Sequence, residues 1–176
     1  MTRLSEAWIA IQDFFEAGGP VLIGIALLTF ALWSLIIERF LYRRGGHRAE
    51  VARVSALWRQ RSDTTSWYAQ QILRSLVSQV SAGCHRFVGS IQTLVALCPL
   101  LGLLGTVTGM MEVFEVMALT GSGNARAMAA GVSKATIPTM AGMVAALSGL
   151  YFSVSIKRWA DDETERVADL LVAGEA

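Results

Sequence analysis

Three long stretches without Asp, Glu, Lys, Arg or His constrain the fold of this chain more than any other feature. They cover residues 19–37, 87–111 and 135–156. A helix of about 20 apolar residues is long enough to span a bilayer core of about 30 Å. With 53% hydrophobic and only 16% charged residues, the chain has too little charge for a soluble domain of this size. The sequence therefore predicts an all-α membrane protein with three transmembrane helices.

The distribution of positive charge predicts the orientation of these helices. Residues 38–86 and 157–176 together contain twelve Lys and Arg residues, whereas residues 1–18 and 112–134 contain three. Because cytoplasmic segments carry the excess of Lys and Arg, we expect the N-terminus outside and the C-terminus in the cytoplasm. The first stretch lacks a small-residue cleavage pattern after it, so we interpret it as a retained helix.

The segments outside the three stretches are also predicted to be helical. Residues 1–18 carry apolar side chains at helical spacing, which predicts an amphipathic helix on the outer surface; these are Leu4, Trp8, Ile11 and Phe15. Gly18-Gly19-Pro20 then turns the chain into the membrane. Residues 38–86 are predicted to form a cytoplasmic helical segment. We expect residues 47–86 and the 157–176 tail to form one helical layer, in which the acids of the tail face an arginine-rich partner. If uninterrupted, residues 67–111 would form one long helix.

Small and polar residues in the second and third stretches predict that these helices face protein and not only lipid. In the second stretch they fall at steps of three and four on one helix face, at Pro99, Gly102, Gly105, Thr106 and Gly109. The third stretch repeats the pattern with Thr136, Thr139, Gly142, Ala146, Gly149 and Ser153. We hypothesise that Thr106, Thr139 and Thr136 line a polar lumen. The alternative is that the glycines only pack helices and the threonines only bond to backbone carbonyls.

Pro138 marks one end of this predicted lumen. Inside a helix its ring leaves the carbonyl of Lys134 without the usual donor. We therefore place the outer pore mouth at Lys134, within the 112–134 segment that contains an outer loop and the start of the third helix. Gly121-Ser122-Gly123-Asn124 is interpreted as a flexible turn in that loop.

Several function classes are disfavoured by what the sequence lacks. No carboxylate lies in the three stretches, and proton relays through membranes need titratable groups, so this chain alone is incomplete as a proton carrier. The sequence has no nucleophile elbow, phosphate-binding glycine loop or pair of histidines with metal-ligand spacing. We therefore predict no enzyme activity, no metal and no cofactor. His47 and His85 are expected to be solvated, and Cys84 and Cys98 are expected to be packing residues.

Nucleic acid is not a predicted partner. The arginines of residues 38–86 are explained by topology and by contact with lipid of the inner leaflet. Surface ion pairs with the acidic tail would add only about 0–1 kcal/mol each. The predicted partners are therefore membrane lipid and other membrane proteins.

Two runs of sequence closely resemble the ExbB/TolQ/MotA proton-channel family. They are Cys98-Pro99-Leu100-Leu101-Gly102-Leu103-Leu104-Gly105-Thr106-Val107 and Gly131-Val132-Ser133-Lys134-Ala135-Thr136-Ile137-Pro138-Thr139-Met140-Ala141-Gly142. The resemblance covers roughly residues 91–155 and is greatest to ExbB-type proteins of the TonB system.

The resemblance implies an inner-membrane subunit that assembles as a homo-oligomer, a pentamer in this family, around single-span ExbD-like partners. An intramembrane Asp of that partner would supply the missing titratable group. The assembly would use proton motive force to act on a TonB-like protein and so energise outer-membrane import of siderophores, haem or vitamin B12. The two pore threonines of the family correspond to Thr106 and Thr139.

Three departures from the family pattern matter. Lys134 stands where many relatives have Glu, and Thr108 stands where many have Trp. The cytoplasmic segment and the tail are short, which indicates a compact variant. A TolQ-like subunit of the Tol-Pal system, a purely structural membrane scaffold and a stand-alone channel stay open as alternatives.

Overall fold

The fold consists of helices joined by short connections. The computed structural model describes the backbone of residues 2–61, 63, 66–120 and 125–173, with side chains at 6, 9, 12, 14, 15, 18–61, 63, 66–119, 128, 129 and 131–172. In chain order the elements are α1 (Thr2–Leu41), a π-helical turn (Tyr42–Gly46), α2 (His47–Arg59), α3 (Trp67–His85), α4 (Val88–Thr120) and α5 (Ala125–Ala173). Helical segments Gly18–Arg59, Trp67–Leu119 and Gly131–Val172 are long and apolar enough to cross a membrane. The predicted all-α architecture with three such helices is confirmed.

Helix α1 contains a break at Gly19. Its φ of 65° and ψ of −168° are not helical, and a positive φ is accessible to glycine without a steric penalty. Pro20 follows at the first position of the next helical turn, where a missing N–H costs nothing. The helix is therefore interrupted at the predicted Gly18-Gly19-Pro20 turn. Leu4, Trp8 and Ile11 lie outside the described side chains, so the amphipathic surface helix stays a prediction.

The chain divides into two compact units. The first unit contains Met1–Trp33 and Thr93–Leu150, and the second contains Ser34–Gln92 and Tyr151–Ala176. In the first unit, buried apolar side chains of α1, α4 and α5 form the contact between helices, at Leu22, Ile25, Leu32, Val95, Cys98 and Ala145. A Cβ on Gly149 would lie 2.6 Å from Leu32 Cδ2 and 2.8 Å from Val95 Cγ2, so glycine allows all three helices to meet closely there.

The second unit has a hydrophobic core built by α2, α3 and the C-terminal part of α5. Its buried members are Val54, Trp58, Ala69, Val80, Cys84, Ala160, Val167 and Leu171. The predicted packing of the 157–176 tail on residues 47–86 is therefore confirmed. Cys84 is a packing residue, as expected, and burial raises the pKa of its thiol to about 11, so the thiol stays protonated at neutral pH.

Two acids of the tail contact histidines of the 38–86 segment, and the arginine that pairs with Glu163, Arg166, belongs to the tail itself. His47 Nε2 lies 2.8 Å from Glu163 Oε1, and His85 Nε2 lies 2.8 Å from Asp161 Oδ1. The expectation that His47 is solvated is wrong, because its side chain is only 6% exposed. It occupies the first position of α2 on the face that packs against Cys84 and Trp159.

Helices α3 and α4 are two helices, so the uninterrupted helix over residues 67–111 is not formed. Helix α3 ends at His85, Arg86 is extended with φ −54° and ψ 132°, and Phe87 has a φ of 62°. A left-handed conformation costs a non-glycine residue about 1–2 kcal/mol. The Phe87 ring lies 5.7 Å from the Arg39 guanidinium and 4.9 Å from that of Arg86, and these cation–π contacts help to offset the cost.

Arg39 is expected to be a major stabilising residue of the second unit. It is 2% exposed; its Nη1 donates to the carbonyl of Gly83 at 2.8 Å, and its Nε donates to Glu38 at 2.8 Å. Gly83 lies in the last turn of α3, where carbonyls lack a donor within the helix. Arg39→Met should lower the free energy of unfolding by about 2 kcal/mol, since the partly buried carbonyl of Gly83 loses its donor. Thermal unfolding measures the loss. Arg59→Met, at an exposed site, is the control and should unfold at the same temperature as the wild type.

His85 is expected to make the second unit more stable at acidic than at alkaline pH. The hydrogen bond that the His85 ring donates to the Asp161 carboxylate raises the pKa of His85 above its usual 6.5. Because the pKa of His85 is higher in the folded protein than in the unfolded chain, protonation of His85 stabilises the fold. This contribution is complete below the pKa of the unfolded chain and is lost as the pH rises through the pKa of the folded protein. The pair is partly exposed, so the effect should stay below about 1 kcal/mol. A nuclear magnetic resonance titration should give a pKa above 6.5 that falls in Asp161→Asn; an unchanged pKa in that variant would contradict the assignment.

Candidate functional site

The small-residue face of α4 packs directly on α5 within the first unit. A Cβ on Gly102 would lie 3.0 Å from Thr139 Cα, and a Cβ on Gly142 would lie 2.5 Å from the carbonyl oxygen of Cys98. In both cases the obstacle is backbone, which cannot move aside as a flexible side chain can. These two glycines therefore set the separation of α4 and α5.

Pro138 fills the space that Gly105 leaves open. A Cβ on Gly105 would lie 2.9 Å from Pro138 Cγ, and Pro138 itself is buried. One turn further along α4, a Cβ on Gly109 would lie 2.8 Å from Ala135 Cα. Pro99 is half-buried within α4. Gly105 and Gly109 thus have the close contacts that the packing interpretation of the stripe predicts.

Thr139 makes the hydrogen bond that joins the two helices at this contact. Its hydroxyl donates to the carbonyl oxygen of Gly102 at 2.9 Å, and the residue is half-buried. A threonine that bonds to its own helix is structurally silent, but this hydroxyl reaches the neighbouring helix. The absence of a side chain on Gly102 is what allows the approach.

Thr106 and Thr136 instead bond to their own helices. The hydroxyl of Thr106 donates to Leu103 at 2.7 Å, and that of Thr136 donates to Ser133 at 2.8 Å. This is the arrangement that the alternative interpretation predicts for them. Thr106 follows Gly102 by four residues, so its Cα lies about 6 Å further along the axis of α4.

The three threonine hydroxyls share one chemical property. Each uses its proton in a bond to a backbone carbonyl, and a hydroxyl oxygen has two acceptor lone pairs. The three oxygens are therefore oriented as acceptors, suited to a water molecule or a protonated acid. Whether they line a lumen depends on neighbouring chains and stays a prediction.

Lys134 forms an ion pair near the predicted outer mouth. Its Nζ lies 3.4 Å from Glu112 Oε2, with side chains 44% and 55% exposed. Such an exposed pair contributes about 0–1 kcal/mol. The positive charge of Lys134 is thus partly compensated by a carboxylate that lies just beyond the second uncharged stretch.

Large apolar side chains cover the remaining faces of α4 and α5. Exposed examples are Leu100, Leu103, Leu104, Val107, Met111, Met140, Val144, Leu147 and Leu150. Contiguous apolar surface of this kind is characteristic of contact with lipid or with another protein. Within the part of the chain that the structure describes, no group of three or more His, Cys, Asp or Glu residues could hold a metal ion.

The contact between Thr139 and Gly102 was not identified from the sequence. Both residues were placed on small faces of their helices, but helical phase alone does not give the register of one helix against another. A usable signal is that the small face of one stretch carries threonines while that of the other carries glycines, because a glycine leaves a carbonyl open to an approaching hydroxyl.

Residues 33–169 match the MotA/TolQ/ExbB proton channel family. A putative biopolymer transport protein ExbB-like 3 of Synechocystis sp. is 41% identical over 70 residues, which are 39% of this chain and 33% of the relative. A putative biopolymer transport protein ExbB-like 1 of Helicobacter pylori is 29% identical over 100 residues, 57% of this chain and 53% of the relative. Biopolymer transport protein exbB1 of Vibrio cholerae is 37% identical over 81 residues, which are 44% of this chain and 36% of the relative.

The matched segments span between a third and about half of these three relatives. The resemblance to the family that the two sequence runs indicated is confirmed by the match over residues 33–169.

Proposed function

The chain belongs to the MotA/TolQ/ExbB proton channel family, and from this premise we propose that it is an ExbB-type subunit of a proton-driven motor. The family match over residues 33–169 is the observation that carries the proposal. The ExbB-like names of the relatives support the ExbB branch. The subunit would lie in the bacterial inner membrane with its N-terminus in the periplasm and its C-terminus in the cytoplasm.

In this proposal the proton-binding group comes from a partner. The three uncharged stretches contain no carboxylate, so a single-span, ExbD-like partner with an intramembrane Asp completes the site. Thr139 and Thr106 present acceptor oxygens because their protons are already bonded to Gly102 and Leu103. An acceptor of this kind stabilises the protonated carboxyl group, whose O–H donates to it, more than the carboxylate. The threonines would stabilise the protonated Asp of the partner while the proton crosses the membrane.

The subunit is proposed to act as a homo-oligomer, a pentamer by resemblance to the family. The small faces of α4 and α5 are used within one subunit, at Gly102 and Gly142. The exposed apolar side chains on the other faces are then available to neighbouring subunits and lipid. Half-buried Thr106 and Thr139 lie at the boundary between these two kinds of surface.

The work of the motor is proposed to be done on a TonB-like protein that energises outer-membrane import of siderophores, haem or vitamin B12. A TolQ-like role in the Tol-Pal system differs from this only in the partner that is driven. Co-purification with an ExbD-like and a TonB-like protein would support the first assignment, whereas TolR and TolA would support the second.

Proton flux in liposomes tests the proposal. The full chain is reconstituted with and without a co-expressed single-span partner, and flux is measured after an imposed pH gradient and membrane potential. We expect flux only with the partner, and its loss when the intramembrane Asp of the partner is replaced by Asn. Absence of flux in both preparations would favour the structural scaffold, and equal flux without the partner would favour the stand-alone channel.

A further inference from the structure

The second unit contains a basic pocket that the proposed proton pathway does not use. It has a volume of about 380 Å³ and is lined by Arg43, His47, Arg48, Val51, Ala52, Trp159, Glu163 and Arg166. This volume lies within the usual range of small-ligand sites. The π-helical turn, α2 and α5 contribute its walls, so one subunit forms the whole pocket.

The pocket carries an excess of positive charge. Its one carboxylate, Glu163, lies 2.8 Å from His47 Nε2 and 3.2 Å from Arg166 Nη2. Across the side chains that the structure describes, no carboxylate forms an ion pair with Arg43 or Arg48. Two guanidinium groups are therefore available to an anion.

The base of the pocket is ordered by packing. His47 is buried between Glu163 and Cys84, whose Sγ lies 3.6 Å from His47 Nδ1. The indole of Trp159 lies edge-on to the His47 ring at 5.4 Å, and the Arg43 guanidinium lies 5.6 Å from the Trp159 ring. This arrangement presents arginine at the rim above a rigid aromatic base.

The sequence positions of the lining residues place the pocket next to two uncharged stretches. Arg43 follows residues 19–37, and Trp159 follows residues 135–156. Tryptophan and arginine are both favoured at the level of lipid headgroups. Arginine also binds phosphate oxygens through two parallel hydrogen bonds.

We propose that this pocket binds a phosphate group through Arg43 and Arg48, as the headgroup of an anionic phospholipid or as a free phosphate. Binding requires neither proton movement nor a partner chain, so its test is independent of the proton-channel test. The function of the site would be to fix the second unit to an anionic ligand near the membrane surface.

Native mass spectrometry of the full chain in detergent tests the proposal. Phosphatidylglycerol, phosphatidylcholine and inorganic phosphate are added in separate titrations. If the ligand is a lipid headgroup, the wild type should retain more phosphatidylglycerol than phosphatidylcholine. If the ligand is free phosphate, the wild type should bind inorganic phosphate. An arginine near an anionic surface contributes about 1 kcal/mol, so each lost arginine should weaken binding about fivefold. The double variant Arg43→Gln/Arg48→Gln should therefore bind the ligand about 25-fold more weakly than the wild type. Arg59→Gln, on the same helix but outside the pocket, should bind as wild type.

Glu163→Gln provides a test that misfolding cannot imitate. It removes the negative charge of the pocket and keeps an acceptor oxygen for His47, so anion binding should tighten about fivefold. The proposal is overturned if phosphatidylglycerol and phosphatidylcholine are retained equally and phosphate does not bind. It is also overturned if the double arginine variant binds as wild type, or if Glu163→Gln shows no gain.

Discussion

Replacing Thr139 with Val is expected to reduce partner-dependent proton flux by about ten- to a hundredfold. Valine keeps the volume of threonine but removes the hydroxyl that donates to Gly102 at 2.9 Å and the acceptor oxygen proposed to receive a proton donor. Leaving the buried O–H donor of the partner's protonated carboxyl group without an acceptor costs about 1–3 kcal/mol, and about 1.4 kcal/mol corresponds to a factor of ten in rate. The flux is measured in liposomes that contain the partner and equal amounts of assembled protein.

Two variants separate a role in conduction from a role in packing. Thr139→Ser keeps the hydroxyl and should retain most of the flux. Thr108→Val is the matched control, because it removes a hydroxyl from α4 at a position outside the threonines proposed to line the lumen. The Thr108 hydroxyl donates to Leu104 and Gly105, and the variant should conduct as wild type. If Thr139→Val assembles normally and conducts as wild type, the proposed role of this hydroxyl is wrong.

Replacing Gly142 with Ala is expected to destabilise the first unit by about 1–3 kcal/mol, the usual cost of inserting a methyl group into a packed core. The added Cβ would lie 2.5 Å from the carbonyl oxygen of Cys98 and 3.3 Å from Gly102 Cα. Both obstacles are backbone, so the variant can be accommodated only if α4 and α5 move apart. Unfolding in detergent, followed by circular dichroism, measures the loss.

Other glycines give a graded series of controls for this variant. No heavy atom lies within 4 Å of a Cβ built on Gly24, so Gly24→Ala should be neutral or stabilising by up to about 1 kcal/mol. Gly149→Ala meets the side-chain tips of Leu32 and Val95, which can rotate, so its effect should be intermediate. Equal stability of the Gly142 and Gly24 variants would show that the helices are not held at this separation.

Much of the architecture could be predicted from local patterns in the sequence. Uncharged length identified the three candidate spans, and Gly19 with Pro20 identified the break in α1, because backbone conformation there depends on residue type. The interruption at Phe87 could not be predicted, since a bulky residue with a positive φ is held there by tertiary contacts with arginines. The burial of His47 was missed for the same reason: its environment is supplied by α3 and α5, which are distant in sequence.

For the candidate site, the sequence by itself determined which residue types are present: small faces on two uncharged helices, threonines within them, no carboxylate, and two runs that resemble a proton-channel family. These follow from composition and helical phase. Only the tertiary structure decided that Thr139 bonds to Gly102 while Thr106 and Thr136 bond to their own helices. The physical reason is that a threonine hydroxyl has several carbonyls within reach, and the choice among them depends on the separation and register of α4 and α5, which are fixed by the backbone contacts at Gly102 and Gly142.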